Sequence, residues 1–305
     1  MKNLLMLICI LFPLFVNSQI KIGNKTTITP NKYEKYDSTY NYPKDNIYAL
    51  IGQDLYIKPL NDNLKKFGYR HFYEDYNTEK IYDKNPFGSS KYDNLEGQTF
   101  KLNNIIAVDN KKKYNSYSIT GLDKNKLYYF QLTKDDNILY FLYTPYESSY
   151  PFISLGYFEK IKKENINKKF YYKSRNNNIT HDYKTGKEIE LKPLELWTCV
   201  DVILNPTSYE IELVFSNGVN QIDEYYKHCS YFMKPKELCD LYKEQFGDNF
   251  SLAMNNKICV GMEDVLVLLA WGNPDKINSD SFGTDQWVYK DQYVYIEDGK
   301  VKAFN

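Results

Sequence analysis

The chain has 305 residues, and its 39 Lys and Arg are balanced by 39 Asp and Glu, so the formal net charge is zero at pH 7. This balance excludes the broad electrostatic attraction that many nucleic-acid-binding proteins use, and we expect no nucleic-acid partner. The length exceeds that of an average domain and favours roughly two to four small modules.

The first 18 residues are typical of a secretion signal peptide. Lys2 makes the start basic, and an apolar run of 13 residues from Leu4 to Val16 follows. That run is too short for a transmembrane helix, and we expect cleavage after Ser18. Cys9 lacks the small residues that precede a lipidated cysteine. We therefore predict an exported protein, periplasmic or secreted, with no lipid anchor and no transmembrane segment in the mature chain.

The middle of the chain predicts small β-rich modules in tandem. Leu50–Ile57 is echoed by Leu95–Leu102 and more weakly by Asn165–Tyr172, and each segment opens a strand. Polar turns at Lys134–Asn137 and Asn205–Ser208 predict two hairpins. The predicted organisation is a signal peptide at 1–18, a flexible leader at 19–47, β-rich modules at 48–93, 94–150 and 155–230, and a C-terminal domain at 235–305.

The C-terminal segment predicts a helix followed by a three-stranded antiparallel meander. Apolar residues recur at helical spacing after Gly261-Met262, and Gly272 and Pro274 end the helix. Three short β-branched or aromatic runs follow, and the last two are separated by an Asp298-Gly299 turn. The fold class is therefore predicted as α+β, with tandem β-rich modules ahead of a domain with two helices and a meander. The residues that define this segment are Gly261, Met262, Gly272, Pro274, Trp287, Tyr289 and Gly299.

These residues resemble the SmpA/OmlA family, which includes the small lipoprotein of the outer-membrane β-barrel assembly machinery and shares its fold with β-lactamase inhibitory protein. The resemblance covers residues 235–305, from a helix that begins near Pro235. It implies two helices packed against a small antiparallel sheet. It also implies contacts with proteins or the cell envelope, without catalytic side chains.

Four cysteines remain after removal of the signal peptide: Cys199, Cys229, Cys239 and Cys259. In an oxidising compartment they allow three disulfide pairings. A pair between Cys239 and Cys259 would join the two predicted C-terminal helices, and four buried thiols remain an open alternative. The chain has no Cys-x-x-Cys pair, so we expect no metal site and no cofactor.

Catalytic motifs are absent from the sequence. His71, His181 and His228 are the three histidines, and none belongs to a nucleophile elbow, a metal-binding helix or a phosphate-binding loop. His228 and Cys229 are chain neighbours, whose side chains seldom form a working dyad. We therefore predict that the protein is not an enzyme and assign no catalytic residue.

Tyrosine is abundant, with 31 residues, and its clusters predict either an aromatic binding surface or rings packed in the core. Trp287, Tyr289, Tyr293 and Tyr295 on the meander are the candidate binding residues. The leading hypothesis is an exported, non-catalytic protein-interaction or envelope-assembly module that binds another cell-envelope or secreted protein. The alternatives are a glycan-binding protein that uses the tyrosine-rich β modules, and a hydrolase with a histidine in a cleft beside a carboxylate or a thiol.

Overall fold

A computed structural model describes residues 40–110, 122–123, 125–144, 146–175, 177–205, 207–279 and 283–305. The predicted signal peptide and residues 19–39 of the predicted leader lie outside these ranges. Helices and antiparallel sheets alternate along the described chain, which has a mixed α+β architecture. Within the same ranges, no helix has the length and apolar character needed to cross a membrane.

The first sheet has seven antiparallel strands in the order β3-β2-β6-β5-β4-β1-β7. Its core contains buried Leu55, Phe130, Phe141 and Phe152. A short helix α1 (Asp62–Lys65) and two 3₁₀ turns, Ile47–Leu50 and Glu147–Ser149, connect the strands. The strands are β1 (Asp54–Ile57), β2 (Phe72–Asp75), β3 (Lys80–Ile81), β4 (Thr99–Asp109), β5 (Lys126–Lys134), β6 (Asn137–Tyr143) and β7 (Phe152–Ser154).

This sheet joins the two ranges 48–93 and 94–150, which were predicted as consecutive modules. Strand β1 pairs with β4, and β2 pairs with β6, so strands from both ranges share one sheet and one core. The physical reason is that the range 48–93 holds only strands of two to four residues, which cannot bury an apolar face alone and therefore pair with the longer strands β4 and β6. The hairpin predicted around Lys134–Asn137 is present between β5 and β6.

The second sheet has five antiparallel strands in the order β13-β12-β11-β8-β14. Trp197, Tyr172 and Phe215 fill its core, and Ile153 of the first sheet packs there as well. The elements are α2 (Leu155–Asn165), β8 (Lys169–Tyr172), β9 (Ile179–His181), β10 (Glu188–Glu190), β11 (Leu196–Leu204), β12 (Ile211–Ser216), β13 (Gln221–Tyr225), α3 (Tyr226–Phe232) and β14 (Met233–Pro235), of which β9 and β10 form a separate ribbon. Helix α2 contacts β1 and β7 as well as β11, so it connects the first two sheets.

The C-terminal part places three helices against a four-stranded sheet. The predicted meander corresponds to β16–β18, and a fourth strand, β15, was not predicted because its residues are largely exposed and lack an apolar run. The helix predicted near Pro235 ends at Gly247, where φ is +54°, and a second helix starts directly after it. The elements are α4 (Lys236–Phe246), α5 (Asp248–Met254), α6 (Asp264–Trp271), β15 (Lys276–Ser279), β16 (Thr284–Tyr289), β17 (Gln292–Glu297) and β18 (Lys300–Phe304).

Candidate functional site

Of the four candidate binding residues, Trp287 lies in the C-terminal core and Tyr289 packs against that core. Trp287 is buried beside Val294 and Ile296. The ring of Tyr289 packs edge-on against Trp271, with centroids 5.4 Å apart, and its hydroxyl donates to the carbonyl of Gly272 at 3.0 Å. Both side chains stabilise the packing of sheet on helix; Trp287 is buried, whereas Tyr289 remains partly exposed.

The other two candidates, Tyr293 and Tyr295, lie on the opposite face of the same sheet. Tyr295 is opposite Gln286 on the neighbouring strand, and the amide Nε2 of Gln286 donates to its hydroxyl at 2.9 Å. Tyr293 is opposite Val288. Both tyrosines are half-exposed and neither belongs to the C-terminal core. We call this surface, with Gln286, Val288, Tyr293 and Tyr295, the outer face of the C-terminal sheet.

The glycines of the predicted C-terminal motif organise the start of α6. Three backbone hydrogen bonds join this region to the last strand. The N–H of Gly261 donates to the carbonyl of Val301, and the N–H of Val301 donates to the carbonyl of buried Met262. The N–H of Asp264 donates to the carbonyl of Gly299. Gly261 and Gly299 have φ values of +84° and +71°, in the left-handed region that favours glycine. Gly272 ends α6 with φ of +82°, and Pro274 follows it before β15. These residues hold the sheet on the helix and have a structural role.

All four described cysteines are free thiols, which corresponds to the alternative that was left open beside a Cys239–Cys259 pair. The Sγ of Cys239 is buried and donates to the carbonyl of Lys234 at 3.8 Å. The Sγ of Cys259 instead faces Oδ1 of Asn249 at 3.5 Å. The two sulfurs therefore have different partners. Burial raises the pKa of the Cys199, Cys229 and Cys239 thiols to about 11.

A cavity of about 600 Å³ opens between the first and second sheets. This volume lies within the range of roughly 300–1,000 Å³ that is typical of small-ligand sites. We call it the tyrosine cleft. From the first half of the chain it is lined by Asn41, Lys58, Glu147, Ser148, Tyr150 and Ile153. From the second half it is lined mainly by Tyr157, Glu210, Tyr225, Tyr226, Lys227 and His228.

Hydrogen bonds to backbone groups of residues 151–154 position the first wall of the tyrosine cleft. The side chain of Asn41 donates to the carbonyl of Phe152 at 2.8 Å and accepts from the N–H of Ser154 at 2.8 Å, so it is fixed on strand β7. Lys58 directly follows β1, and its N–H donates to the carbonyl of Pro151 at 2.8 Å. Both residues are thus held at the edge of the first sheet that faces the second.

The second wall is aromatic. Strand β13 ends at Tyr225, and α3 begins at Tyr226, so consecutive tyrosines lie at the junction of a strand and a helix. Tyr157 of α2 contacts Tyr226 edge-on, with centroids 6.4 Å apart. The imidazole of His228 lies 6.3 Å from the ring of Tyr225. Tyr225 is 42% exposed, so part of this aromatic wall is open to a ligand.

Charged groups of both signs converge on the tyrosine cleft. Lys227 and Glu147 form an exposed ion pair with Nζ and Oε1 3.1 Å apart. Burial lowers the pKa of Lys58, while Glu210 and Glu147 oppose that effect and Lys227 adds to it. Among the described residues, Lys58 forms no ion pair, so its half-buried amine remains available to a ligand.

The histidines do not form a recognisable catalytic arrangement with described neighbours. His71 is half-buried in the first sheet region, and burial lowers its pKa. His181 is exposed on β9. His228 contacts the rings of Tyr225 and Tyr231, and no hydrogen bond joins it to a carboxylate of the described chain. Across the described ranges, no cluster of three or more His, Cys, Asp and Glu side chains is placed to hold a metal ion.

No protein-family model matches the chain, and neither a curated protein nor a solved structure matches it significantly. Sequence reasoning considered His228 and, as a group, the tyrosine clusters, but missed Lys58 and Glu210. Those two residues carry no local motif and are 152 positions apart in the chain. Only the packing of the two sheets brings them to one cavity.

Proposed function

We propose that this chain is a non-catalytic binding protein that takes a saccharide in the tyrosine cleft. The proposal rests on one observation: partly exposed tyrosine rings and the amine of Lys58, which forms no ion pair within the described chain, line the same cavity. Sugar rings present flat C–H surfaces that pack on aromatic faces, and their hydroxyls need polar partners at the edges. Tyr225 and Tyr226 supply the aromatic surface, and Lys58 and Glu210 supply the polar partners.

The charges favour a saccharide that carries an acidic group. Lys58 has no carboxylate partner within the described chain, so a ligand carboxylate would compensate a half-buried cation. Glu210 then accepts hydrogen bonds from ligand hydroxyls. The hydrolase alternative is less well supported, because His228 contacts aromatic rings and no carboxylate orients it in the described chain.

Export is part of this proposal and depends on the basic and apolar pattern of residues 1–18. A periplasmic or secreted location would expose the cleft to envelope or extracellular saccharides. The proposal includes no cofactor, no metal, no nucleic acid and no transmembrane segment in the mature chain.

A second candidate is a protein-interaction or envelope-assembly module that binds an envelope or secreted protein through the outer face of the C-terminal sheet. It is favoured by half-exposed Tyr293 and Tyr295, which lie outside the core on one sheet face. Partly exposed tyrosines are enriched at protein interfaces. Membership of the SmpA/OmlA family belongs to this candidate and remains a proposal.

The test is a binding measurement on the mature chain, residues 19–305, with an array of neutral and acidic oligosaccharides. We expect acidic oligosaccharides to bind, and calorimetry to show at least a tenfold weaker affinity, about 1.4 kcal/mol, for both Lys58→Met and Tyr225→Ala. Tyr183→Ala is the matched control, because Tyr183 is 45% exposed and does not line the cleft. The absence of binding to any saccharide would overturn the proposal.

The same protein preparation distinguishes the second candidate function from saccharide binding. Immobilised wild-type protein and a Tyr293→Ala, Tyr295→Ala double variant are each exposed to envelope proteins from the source cells. A protein partner that is retained by wild type and by the cleft variants, but lost with the double variant, would support the outer face as the functional surface. Saccharide binding that survives in the double variant would assign function to the tyrosine cleft.

A further inference from the structure

Lys173 is a buried cation without a described counter-ion. Its side chain is 8% exposed, and its Nζ donates to the carbonyl of Ala270 at 2.9 Å and to Oδ1 of Asn256. Both acceptors are neutral, and Lys173 forms no ion pair with a carboxylate of the described chain. Burying a charge without an opposite charge raises the free energy of the folded state, so an external anion bound beside Lys173 would be stabilising.

The protein holds this ammonium in a fixed place. The backbone N–H of Lys173 donates to the carbonyl of Phe232 at 2.6 Å, and the backbone N–H of Ser174 donates to the carbonyl of Met254 at 2.9 Å. Asn256 donates through Nδ2 to the carbonyl of Ser174 at 2.9 Å. Ala270 lies in the last turn of α6, where the helix dipole favours a cation. The ammonium is thus positioned between the second sheet and the C-terminal helices.

An open cavity of about 900 Å³ lies beside this ammonium. Trp271 and Tyr289 contribute apolar rings to its wall, and Lys290 contributes a second amine at its exposed rim. Arg175 also lines it, but its guanidinium is already paired with Glu224. We call this cavity the Lys173 cleft.

Asp275 is the carboxylate that lines the Lys173 cleft, and its Oδ2 accepts the backbone N–H of Lys290 at 2.9 Å. With Arg175 neutralised by Glu224, the lining retains Lys173 and Lys290 against Asp275, and so has an excess of positive charge. Lysine has three N–H donors, and the described partners of Lys173 use two of them. One donor of the buried ammonium therefore remains for a ligand.

We infer that the Lys173 cleft is a second binding site, separate from the tyrosine cleft, for a small organic anion whose carboxylate or phosphate contacts Lys173 and Lys290 and whose flat apolar part packs on Trp271 and Tyr289. Charge-assisted hydrogen bonds of this kind are stronger than those between neutral groups. The aromatic pair, with centroids 5.4 Å apart, provides the apolar surface. This inference does not depend on saccharide binding.

The protonation state of Lys173 allows a second test of this site, through the pH dependence of anion binding. Burial, together with the nearby cation of Lys234, lowers the pKa of Lys173 to about 8. The other charged groups at the cleft are Arg175, Lys290 and Asp275. A bound anion stabilises the protonated amine, so anion binding weakens as the pH rises above about 8.

The test is calorimetric titration of the mature chain with benzoate and with phenyl phosphate, and benzamide serves as a neutral ligand of similar shape. We expect the two anions to bind at pH 7 and benzamide to bind at least about tenfold more weakly. Lys173→Met and Lys290→Met each weaken anion binding, and Lys184→Met, an exposed lysine on the β9–β10 turn, does not.

Lys290→Met changes an exposed side chain and keeps the test decisive even where Lys173→Met fails to fold. Loss of anion binding in Lys290→Met, together with weaker wild-type binding at pH 9.5 than at pH 7, supports the site. Equal affinity for benzamide and benzoate overturns it, as does unchanged anion affinity in Lys290→Met or at the higher pH. A preference between benzoate and phenyl phosphate identifies the anionic group.

Discussion

The hydroxyl of Tyr69 donates a hydrogen bond to the backbone carbonyl of Lys58 at 2.6 Å. Tyr69 is buried in the core of the first sheet, where its ring stacks on Tyr92 with centroids 5.8 Å apart. The bond ties Lys58, a residue that lines the tyrosine cleft, to the core beneath it. The position of Lys58 therefore depends on a buried tyrosine that does not line the cleft.

Tyr69→Phe keeps the ring and removes this hydrogen bond. We expect the free energy of unfolding to fall by about 1 kcal/mol, because the partly buried carbonyl of Lys58 loses its donor. We also expect weaker saccharide binding, because Lys58 is less well positioned. Urea unfolding and calorimetry measure the two effects, with Tyr183→Phe as the exposed control. Unchanged saccharide affinity in a destabilised variant would contradict the positioning role.

Gly68 cannot be replaced by alanine without a backbone clash. Its φ is +67°, and an added Cβ would lie 1.9 Å from the carbonyl oxygen of Ser90. Gly88 has a similar φ of +79°, but an added Cβ would meet nothing within 4 Å. Gly88→Ala therefore measures the conformational strain alone, about 1–2 kcal/mol.

We expect Gly68→Ala to lower the free energy of unfolding by at least about 2 kcal/mol more than Gly88→Ala, since the bridge between Tyr69 and Ser90 must open to admit the methyl group. Denaturant unfolding of both variants measures the difference. Equal destabilisation of Gly68→Ala and Gly88→Ala would show that the bridge between Tyr69 and Ser90 opens without a loss of stability.

Glu212 makes stability depend on pH near neutrality. It is 2% exposed, and burial raises its pKa to about 7 from the ordinary value of 4.5, an effect that Asp223 and Glu224 increase and Asn205 opposes. The folded protein thus binds this proton more tightly than the unfolded chain. Stability is therefore highest below about pH 4.5 for this group and falls as the pH rises through about 7.

Glu212→Gln removes this dependence. Relative to wild type, we expect the variant to gain about 1–3 kcal/mol in its free energy of unfolding between pH 4.5 and pH 8. Urea unfolding at the two pH values measures that gain, and exposed Glu188→Gln should show none. A loss in place of this gain would mean that folding lowers the pKa of Glu212 and would contradict the prediction.

The thiols differ in burial, so we expect them to differ in reactivity. Cys199, Cys229 and Cys239 are buried, and Cys259 is partly exposed. We expect native protein to react with a thiol reagent at Cys259 alone, and denatured protein to react at all four positions, because the thiolate is the reactive form. Mass spectrometry of labelled peptides measures this pattern, with Cys259→Ser as the control. No labelling at Cys239 and Cys259 after denaturation without reductant would indicate a disulfide between them.

Local features of the C-terminal part could be predicted from the sequence. Gly272 ends α6, and the Asp298-Gly299 turn joins β17 to β18, because positive φ values and helix ends are encoded by neighbouring residues. The structure buries Trp287 in the C-terminal core, whereas Tyr289 packs on Trp271 and stays partly exposed. Alternation along a strand shows which residues share a face, but it does not show which face a helix covers.

The sequence by itself determined the α+β class, the two central hairpins, the end of α6 and the turn at Gly299, all of which depend on contacts between residues close in the chain. Only the tertiary structure decided that residues 48–93 and 94–150 share one sheet, and that Lys58 meets Tyr225 in one cleft. The same holds for the ammonium of Lys173, which reaches Ala270 across 97 positions. These relationships depend on non-local pairing and burial, which no short segment of the chain encodes.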